Sequence, residues 1–375
     1  MLLSVFIVDL GRALIGIVVL LGVAFLISTN RRKINWRLVI SGVLLQVIIA
    51  LLLLKVPFIN YGFQWFADKL VKVITYSTSA GAKFLFGDLV MNTETYGYIF
   101  AFQVLPIIIF FAALTALLFY FGILQRIIYG FAWIMNKTLQ LSGPESFAAA
   151  ANVFIGQTEA PLLIKPYISK MTRSELLCLM TGGMATIAGS VLMAYVSILG
   201  GGDLETQKVF ATHLLTASIM NAPAAIVMAK MMVPETEETS RELIIPKEKT
   251  GKNMFDALTV GILDGLRLAV NVAAMLLAFI AIIALLNYFF KGIIGNYTGL
   301  NDLIYESSGG KYDGLNLQYM LGNLLAPVAW VLGVPTEDIT LVGQLLGEKT
   351  ILNEFYAYVS LGEFKEIGAL THQKS

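Results

Sequence analysis

Long apolar stretches, separated by short polar ones, run through most of the chain. A bilayer-crossing helix needs about 20 apolar residues. Stretches of roughly that length lie at 3–29, 36–55, 97–122, 174–199, 207–232 and 257–290. Two further segments, 57–88 and 123–140, mix basic and aromatic residues and are typical of helices that lie in the membrane interface. The pattern predicts an all-α polytopic membrane protein.

Composition agrees with this prediction and excludes several other classes. Hydrophobic residues make up 57% of the 375 positions and charged residues 14%, whereas soluble domains carry about 25% charged residues. The net charge of +1 provides no electrostatic surface for nucleic acid. The single cysteine, Cys178, and the two histidines, His213 and His372, argue against a disulfide framework and a histidine metal site.

The apolar pattern is interrupted at Gly156–Pro161, where the sequence reads GQTEAP. The flanking segments 145–155 and 161–170 would each form a helix of about 15 Å, half of a bilayer core of about 30 Å. Glycine and proline both end helices, so we expect a re-entrant hairpin whose tip is 156–160. A carboxylate at mid-membrane costs about 2.5–3.5 kcal/mol. Glu159 therefore indicates a solvated binding site, or else a helix cap or structural ion pair.

A second, similar pattern lies near the C-terminal end of the sequence. GNLLAP at Gly322–Pro327 mirrors GQTEAP, and YAYVSLG at 356–362 mirrors MAYVSILG at 193–200. Three full spans separate the two hairpins, so the second copy would be inverted in the membrane, as in secondary transporters, unless the likeness is chance. Asn353 and Glu354 lie within the apolar part of this copy and are further candidates for function.

In the first copy, the small residues of GGMATIAGSV (182–191) suit close helix packing or a local unwinding that frees carbonyl oxygens for a cation.

These patterns together divide the chain into seven segments. They are N-terminal spans and an interfacial segment at 1–122, an interfacial helix at 123–140, a first repeat at 144–200, connecting spans at 207–232 and 257–290, a second repeat at 317–362 and a polar tail at 363–375.

At 156–196 and 347–361 the chain resembles the concentrative nucleoside transporter family. The resemblance implies a sodium- or proton-coupled nucleoside symporter of the inner (plasma) membrane, not an enzyme, with the coupling ion and no other cofactor. It also implies a homotrimer in which each protomer has a scaffold domain and a moving transport domain. The transport domain would contain two re-entrant hairpins and two broken transmembrane helices.

The resemblance also implies roles for individual residues. Gln157, Thr158 and Glu159 would hydrogen-bond the nucleobase, in a pocket shaped by Gly156 and Val191. Glu354 would bind the ribose hydroxyls, with Asn353 beside it.

The sodium site of the family corresponds to four oxygen atoms of this sequence. They belong to the Asn152 side chain, the Ile155 carbonyl, the Thr186 hydroxyl and the Ile187 carbonyl. An all-oxygen site suits a hard cation, so Asn152 and Thr186 favour sodium over protons.

This sequence differs from the family pattern at its C-terminal end. The family continues with a segment reading C-G-F-A-N and a serine, which completes the ribose pocket, whereas this sequence ends at ALTHQKS. We therefore expect this C-terminal segment to be absent, because the sequence is a fragment or because this version lacks half of its sugar site.

Three other functions stay open from the residues alone. An anion transporter is disfavoured because Glu159 and Glu354 would repel its substrate. A membrane-embedded enzyme would need a nucleophile with its base, and the repeats contain no histidine. An ion channel would carry currents uncoupled from any solute.

Overall fold

The computed structural model describes residues 2–157, 160–239 and 251–371, and this part of the chain contains helices and no strand. The prediction of an all-α chain is therefore confirmed. Five of its helical segments are long and apolar enough to cross a membrane: Trp36–Lys55, Phe100–Tyr120, Arg173–Gly200, Leu204–Met232 and Met254–Thr298. The first apolar stretch also forms a helix, α1 (Leu2–Leu26), whose segment Gly11–Leu26 is a shorter apolar helix.

The chain forms two compact units. The larger unit is Leu21–Ala269, and the smaller unit comprises Met1–Leu20 and Val270–Ser375. Two helices, α1 and α15 (Met254–Asn287), contribute residues to both units.

The larger unit contains thirteen complete α-helices within its described residues, after a 3₁₀ turn at Arg31–Lys33. They are α2 (Trp36–Lys55), α3 (Pro57–Phe86), α4 (Asp88–Met91), α5 (Thr93–Tyr96), α6 (Phe100–Gln103), α7 (Leu105–Tyr120), α8 (Ile123–Leu139), α9 (Gly143–Ile155), α10 (Ala160–Leu163), α11 (Lys165–Ile168), α12 (Arg173–Ala185), α13 (Gly189–Gly200) and α14 (Leu204–Met232).

Helix α14 is the central helix of the larger unit and packs against α2, α3, α9, α12 and α13. Small residues permit this close packing: a side chain at Gly42 of α2 would overlap the Val227 side chain of α14. The buried side chains Ile226 and Met231 join the same apolar core.

The first interfacial segment, 57–88, forms the long helix α3. One face of α3 is buried at helical spacing, with Ala67, Val71 and Ile74 toward the core. Its other face exposes aromatic side chains, among them Phe58 and Phe84. The helix is thus amphipathic, and its location in a membrane interface stays a prediction.

The smaller unit continues from α15 through a π-helical turn at Tyr288–Gly295. Its remaining helices are α16 (Asn296–Thr298), α17 (Leu300–Ser307), α18 (Leu317–Val331), α19 (Ile339–Ile351) and α20 (Glu354–Glu366). Arg12 of α1 fixes the turn after α18, because its guanidinium donates to the Val334 carbonyl at 2.8 Å and lies over the Trp330 ring.

The structure corrects the expectation that GNLLAP forms a tip like GQTEAP. Gly322–Pro327 lies inside the continuous helix α18, and the chain reverses direction only between α18 and α19. Gly322 serves packing instead of a turn, since a side chain there would come within 2.7 Å of the Thr340 carbonyl. Gly347 of α19 likewise makes room for Leu321. Close approach of two helices, and not a break, explains this second glycine pattern.

A broken helix occurs in each unit. In the larger unit α12, of 13 residues, is followed by a break at 186–188 and then by α13, of 12 residues. In the smaller unit α19 and α20, each of 13 residues, flank a break at 352–353. The similar lengths favour an internal repeat, whose inversion in the membrane stays a prediction.

Candidate functional site

The first candidate site begins where α9 ends. Ser142 caps the start of α9 by accepting a hydrogen bond from the Glu145 N–H, and the helix stops after Ile155. Gly156 adopts φ 85° and ψ 177°, a region open almost only to glycine. The chain then turns, and the Ala160 N–H donates to the Gly156 carbonyl at 3.1 Å. The helix break expected from GQTEAP is therefore present, and its depth in a membrane stays a prediction.

A second interruption separates α12 from α13. The Thr186 hydroxyl turns back and donates to the Gly182 carbonyl at 2.8 Å. The next residues are held by α14: Asn221 donates to the Ala185 carbonyl at 2.8 Å, and the Ile187 N–H lies 3.4 Å from the Ser218 hydroxyl oxygen. The local unwinding that the small residues of 182–191 suggested is thus observed.

Asn152 joins the two interruptions. Its side chain is fully buried on α9 and lies 3.2 Å from both the Gly156 carbonyl and the Gly183 N–H. In the orientation that satisfies both groups, Nδ2 donates to Gly156 and Oδ1 accepts from Gly183. One amide therefore connects the end of α9 with the last turns of α12.

The electrostatics of this region favour a cation. The carbonyl ends of α9 and α12 meet beside Asn152, and the C-terminus of a helix carries about half a negative charge. The last carbonyls of each helix lack partners within that helix. The Thr186 hydroxyl has given its proton to Gly182, so its lone pairs remain able to accept. These neutral oxygens are ligands for a hard, monovalent cation.

The structure places most of the expected residues of the larger unit around this region. Asn152, Ile155, Thr186 and Ile187 lie at the ends of α9 and α12. Gly156 and the exposed Gln157 follow α9, whereas Val191 is buried in the first turn of α13. Thr158 and Glu159, both expected in the base site, lie outside the described residues.

The remaining two candidates belong to the smaller unit. Asn353 caps α20, because its side-chain oxygen accepts from the Tyr356 N–H at 2.8 Å. Glu354 is the first residue of α20. Six residues before it, Glu348 is buried on α19 and accepts a hydrogen bond from Gln344 at 2.7 Å. The sequence reasoning missed Glu348, although a carboxylate within an apolar segment is a signal that could have drawn attention to it.

Ser218 and Asn221 were also missed. Both lie in α14, and their partners are backbone groups more than thirty residues away in sequence. Isolated Ser and Asn side chains in a long apolar helix are a weak signal, because they bond equally well within their own helix. Only the packing of α14 against the break in α12–α13 gives them a role.

Gly183 offers a test of how closely the two interruptions pack. A Cβ atom at Gly183 would lie 2.8 Å from the Gln157 Cβ. Overpacking of this kind costs about 1–3 kcal/mol. We expect Gly183→Ala to lower the thermal unfolding temperature and to displace Gln157.

The matched control is Gly130→Ala in α8, since a Cβ atom there meets nothing within 4 Å. A helical Gly→Ala change without a clash stabilises by about 0.5–1 kcal/mol. Equal unfolding temperatures for the two variants would contradict the close contact between Gln157 and Gly183.

Three family profiles match most of the chain in consecutive parts. They are described as the Na⁺ dependent nucleoside transporter N-terminus (residues 15–89), Nucleoside recognition, or Gate (101–202), and the Na⁺ dependent nucleoside transporter C-terminus (213–375).

Individual proteins of this kind are similar over nearly the whole chain. An uncharacterized transporter of Haemophilus influenzae is 38% identical over 94% of this chain and 79% of its own length. Sodium/nucleoside cotransporter 1 of Mus musculus is 38% identical over 94% of this chain, which spans only 50% of that protein.

Solved structures show the same likeness in three dimensions. The structure of CNTnw in an inward-facing, substrate-bound state is 39% identical to this chain, with a TM-score of 0.83 over 95% of this chain and 80% of CNTnw. A variant of CNTnw in an outward-facing state gives a TM-score of 0.84 at 38% identity, over 95% of this chain and 81% of that chain.

These relatives are transporters and not enzymes, and apolar helices of spanning length recur in this chain. It is a membrane protein and belongs to the concentrative, sodium-dependent nucleoside transporter family.

Proposed function

We propose that this chain is a sodium-coupled symporter that takes up nucleosides across the inner (plasma) membrane, as a multi-pass homotrimer. The observation that carries the proposal is the junction at Asn152, whose buried amide contacts both the Gly156 carbonyl at the end of α9 and the Gly183 N–H in the last turn of α12. Family membership supports nucleosides as the substrate, and the neutral oxygen ligands support sodium as the coupling ion.

Sodium would be bound by the Asn152 side chain, the Ile155 carbonyl, the Thr186 hydroxyl and the Ile187 carbonyl. The amide of Asn152 suits this role because rotating it by half a turn would bring Oδ1 beside the Gly156 carbonyl. Two oxygens side by side repel each other unless a cation lies near them. Sodium would therefore favour one amide orientation, and its loss would favour the other.

The base-binding residues would follow directly from this cation site. Gly156 and Gln157 come next in the chain after α9, and Val191 lies in the helix after the break at 186–188. An ion that fixes both interruptions would also fix Gln157, together with Thr158 and Glu159. Sodium and nucleoside would then bind cooperatively, typically by about 1–3 kcal/mol.

The ribose would be bound by Glu354 and Asn353 at the break between α19 and α20. A carboxylate accepts hydrogen bonds from two vicinal hydroxyls and suits a sugar. The Asn353 cap would hold the first turn of α20, and hence Glu354, in a fixed orientation. Re-entrant hairpins in an inverted repeat would let the protein expose its sites alternately to the two sides of the membrane.

Nucleoside-dependent thermal stabilisation tests this proposal on the purified protein. A ligand that binds only the folded state raises the unfolding temperature. We expect purine or pyrimidine nucleosides to stabilise the protein more in sodium chloride than in choline chloride of equal ionic strength. Equal stabilisation in both salts would remove sodium from the proposal, and no stabilisation by any nucleoside would remove the substrate.

A further inference from the structure

Lys230 lies near the end of α14 and is surrounded by three acceptors. Its side chain is only 7% exposed, and its ammonium nitrogen lies 2.8 Å from Glu145 Oε1. It also donates to Ser174 Oγ at 3.0 Å and to Glu235 Oε2 at 3.3 Å. The contact with Glu145 is an ion pair, whereas Ser174 and Glu235 accept hydrogen bonds from the ammonium group. We call these four side chains the Lys230 clamp.

The partners of Lys230 come from the first turns of two helices. Glu145 lies in the first turn of α9, and Ser174 lies in the first turn of α12. Both helices have 13 residues and are therefore about 20 Å long. Their opposite ends carry Asn152 and Thr186, so the Lys230 clamp holds the starts of the two helices that end at the proposed sodium site.

The clamp also has supporting contacts. Thr172 Oγ1 donates to Glu235 Oε2 at 2.8 Å, and Thr172 forms a capping box with Glu175 at the start of α12. Burial opposes ionisation of Glu235, but hydrogen bonds from Thr172 and the Glu237 N–H, together with the Lys230 charge, lower its pKa. Glu235 is thus a charged partner that fixes Lys230 to the start of α12.

The same helix contacts the far ends of α9 and α12. Ser218 lies three turns before Lys230 on α14, about 18 Å away along the helix. Its hydroxyl is 3.4 Å from the Val153 carbonyl of α9 and 3.4 Å from the Ile187 N–H beyond α12. Helix α14 therefore contacts α9 and α12 at both of their ends, at the Lys230 clamp and beside the helix ends near Asn152.

We propose that Lys230 is a positioning residue, which sets α9 in register with α12 and thereby sets the sodium affinity at their far ends. The inference rests on the proposed sodium coupling. Stability alone does not account for the clamp, because apolar residues of similar volume often replace buried ion pairs without loss of stability. What apolar residues lack is the directional bonding that fixes two helix starts to one ammonium.

The test is Lys230→Met in the full chain, reconstituted in liposomes, with radiolabelled uridine uptake measured over a range of sodium concentrations. We expect the sodium concentration for half-maximal uptake to rise about fivefold, with the maximal rate at saturating sodium unchanged. Lys230→Arg, which keeps the charge and donors, is expected to restore most of the sodium affinity. The control is Lys137→Met, because Lys137 is exposed on α8 and lies over Trp133.

Hydrogen exchange provides a readout that needs neither sodium nor transport. In sodium-free detergent solution, Lys230→Met should speed amide exchange at 182–188, at the far end of α12, while the exchange of α19, in the smaller unit, stays as in the unsubstituted protein. Faster exchange confined to 142–146 and 172–176, together with an unchanged sodium requirement, would overturn the proposal.

Two further experiments separate a failure of the Lys230 proposal from a failure of the proposed sodium coupling and from a variant that does not fold. If the unsubstituted protein takes up uridine without regard to sodium, the proposed function fails, and the exchange at 182–188 still decides the role of Lys230. If Lys230→Met does not fold, Glu145→Gln removes one charge of the clamp and keeps its shape. Glu145→Gln is expected to raise the sodium requirement in the same direction, and an unaltered requirement in this variant would contradict the proposal.

Discussion

Asn152→Ala is expected to lower sodium-driven uridine uptake by about fivefold or more, because removing a buried polar partner costs about 1–3 kcal/mol. The substitution deletes the amide that spans the Gly156 carbonyl and the Gly183 N–H. It also deletes one proposed sodium ligand. Uptake by reconstituted protein, measured against sodium concentration, would show a large rise in the sodium requirement.

Asn92→Ala is the matched control for this substitution. Asn92 is exposed, and its side chain accepts a hydrogen bond from the nearby Thr95 N–H, so the sodium requirement should not change. An Asn152→Ala protein that is folded and keeps the original sodium requirement would show that this amide is not part of the cation site.

Glu354→Gln is expected to weaken nucleoside binding by about tenfold or more, since a hydrogen bond to a charged group contributes about 1.5–3 kcal/mol. The glutamine keeps the size of the side chain but loses one acceptor and the charge. Binding of uridine, measured by calorimetry at saturating sodium, would show the loss directly.

A substrate change makes this experiment specific for the sugar. 2′,3′-Dideoxyuridine lacks the two vicinal hydroxyls of the ribose and keeps the 5′-hydroxyl, so Glu354→Gln should bind it as well as the unsubstituted protein does. Glu366→Gln, at the exposed end of the same helix, should leave uridine binding unchanged. An equal loss of affinity for uridine and the dideoxy analogue would reject the ribose role of Glu354.

Hydrophobic pattern was sufficient to predict the long helices of this chain. The stretch 36–55 coincides with α2, 207–232 begins about one turn after α14 does, and 257–290 is shifted from α15 by about one turn at both ends. Strong apolar runs leave few alternatives to a helix, because backbone groups in lipid must bond within their own segment.

Sequence pattern was less reliable in predicting whether a glycine ends a helix. Gly156 and Gly322 have similar sequence neighbours, but Gly156 adopts a positive φ and ends a helix, whereas Gly322 lies within α18. A glycine can serve either a turn or close packing, and its neighbours across the fold decide between them. The close approach of α19 to α18 could not be read from the local sequence.

The Lys230 clamp shows a different limit of sequence reasoning. Basic residues near span ends are used to orient a membrane protein, and that use treats each of them as a solvated charge. In the structure the Lys230 side chain is buried against Glu145 and Ser174. Pairing across 56 residues or more of sequence depends on helix packing, which the sequence pattern does not specify.

Concentrative uptake in liposomes tests the central claim most directly. Protein reconstituted into liposomes would receive radiolabelled uridine with an inward sodium gradient, with an inward proton gradient, or with neither. The account predicts accumulation above the external concentration with the sodium gradient alone, and loss of accumulation when a sodium ionophore is added. Accumulation that follows the proton gradient and ignores sodium would contradict it.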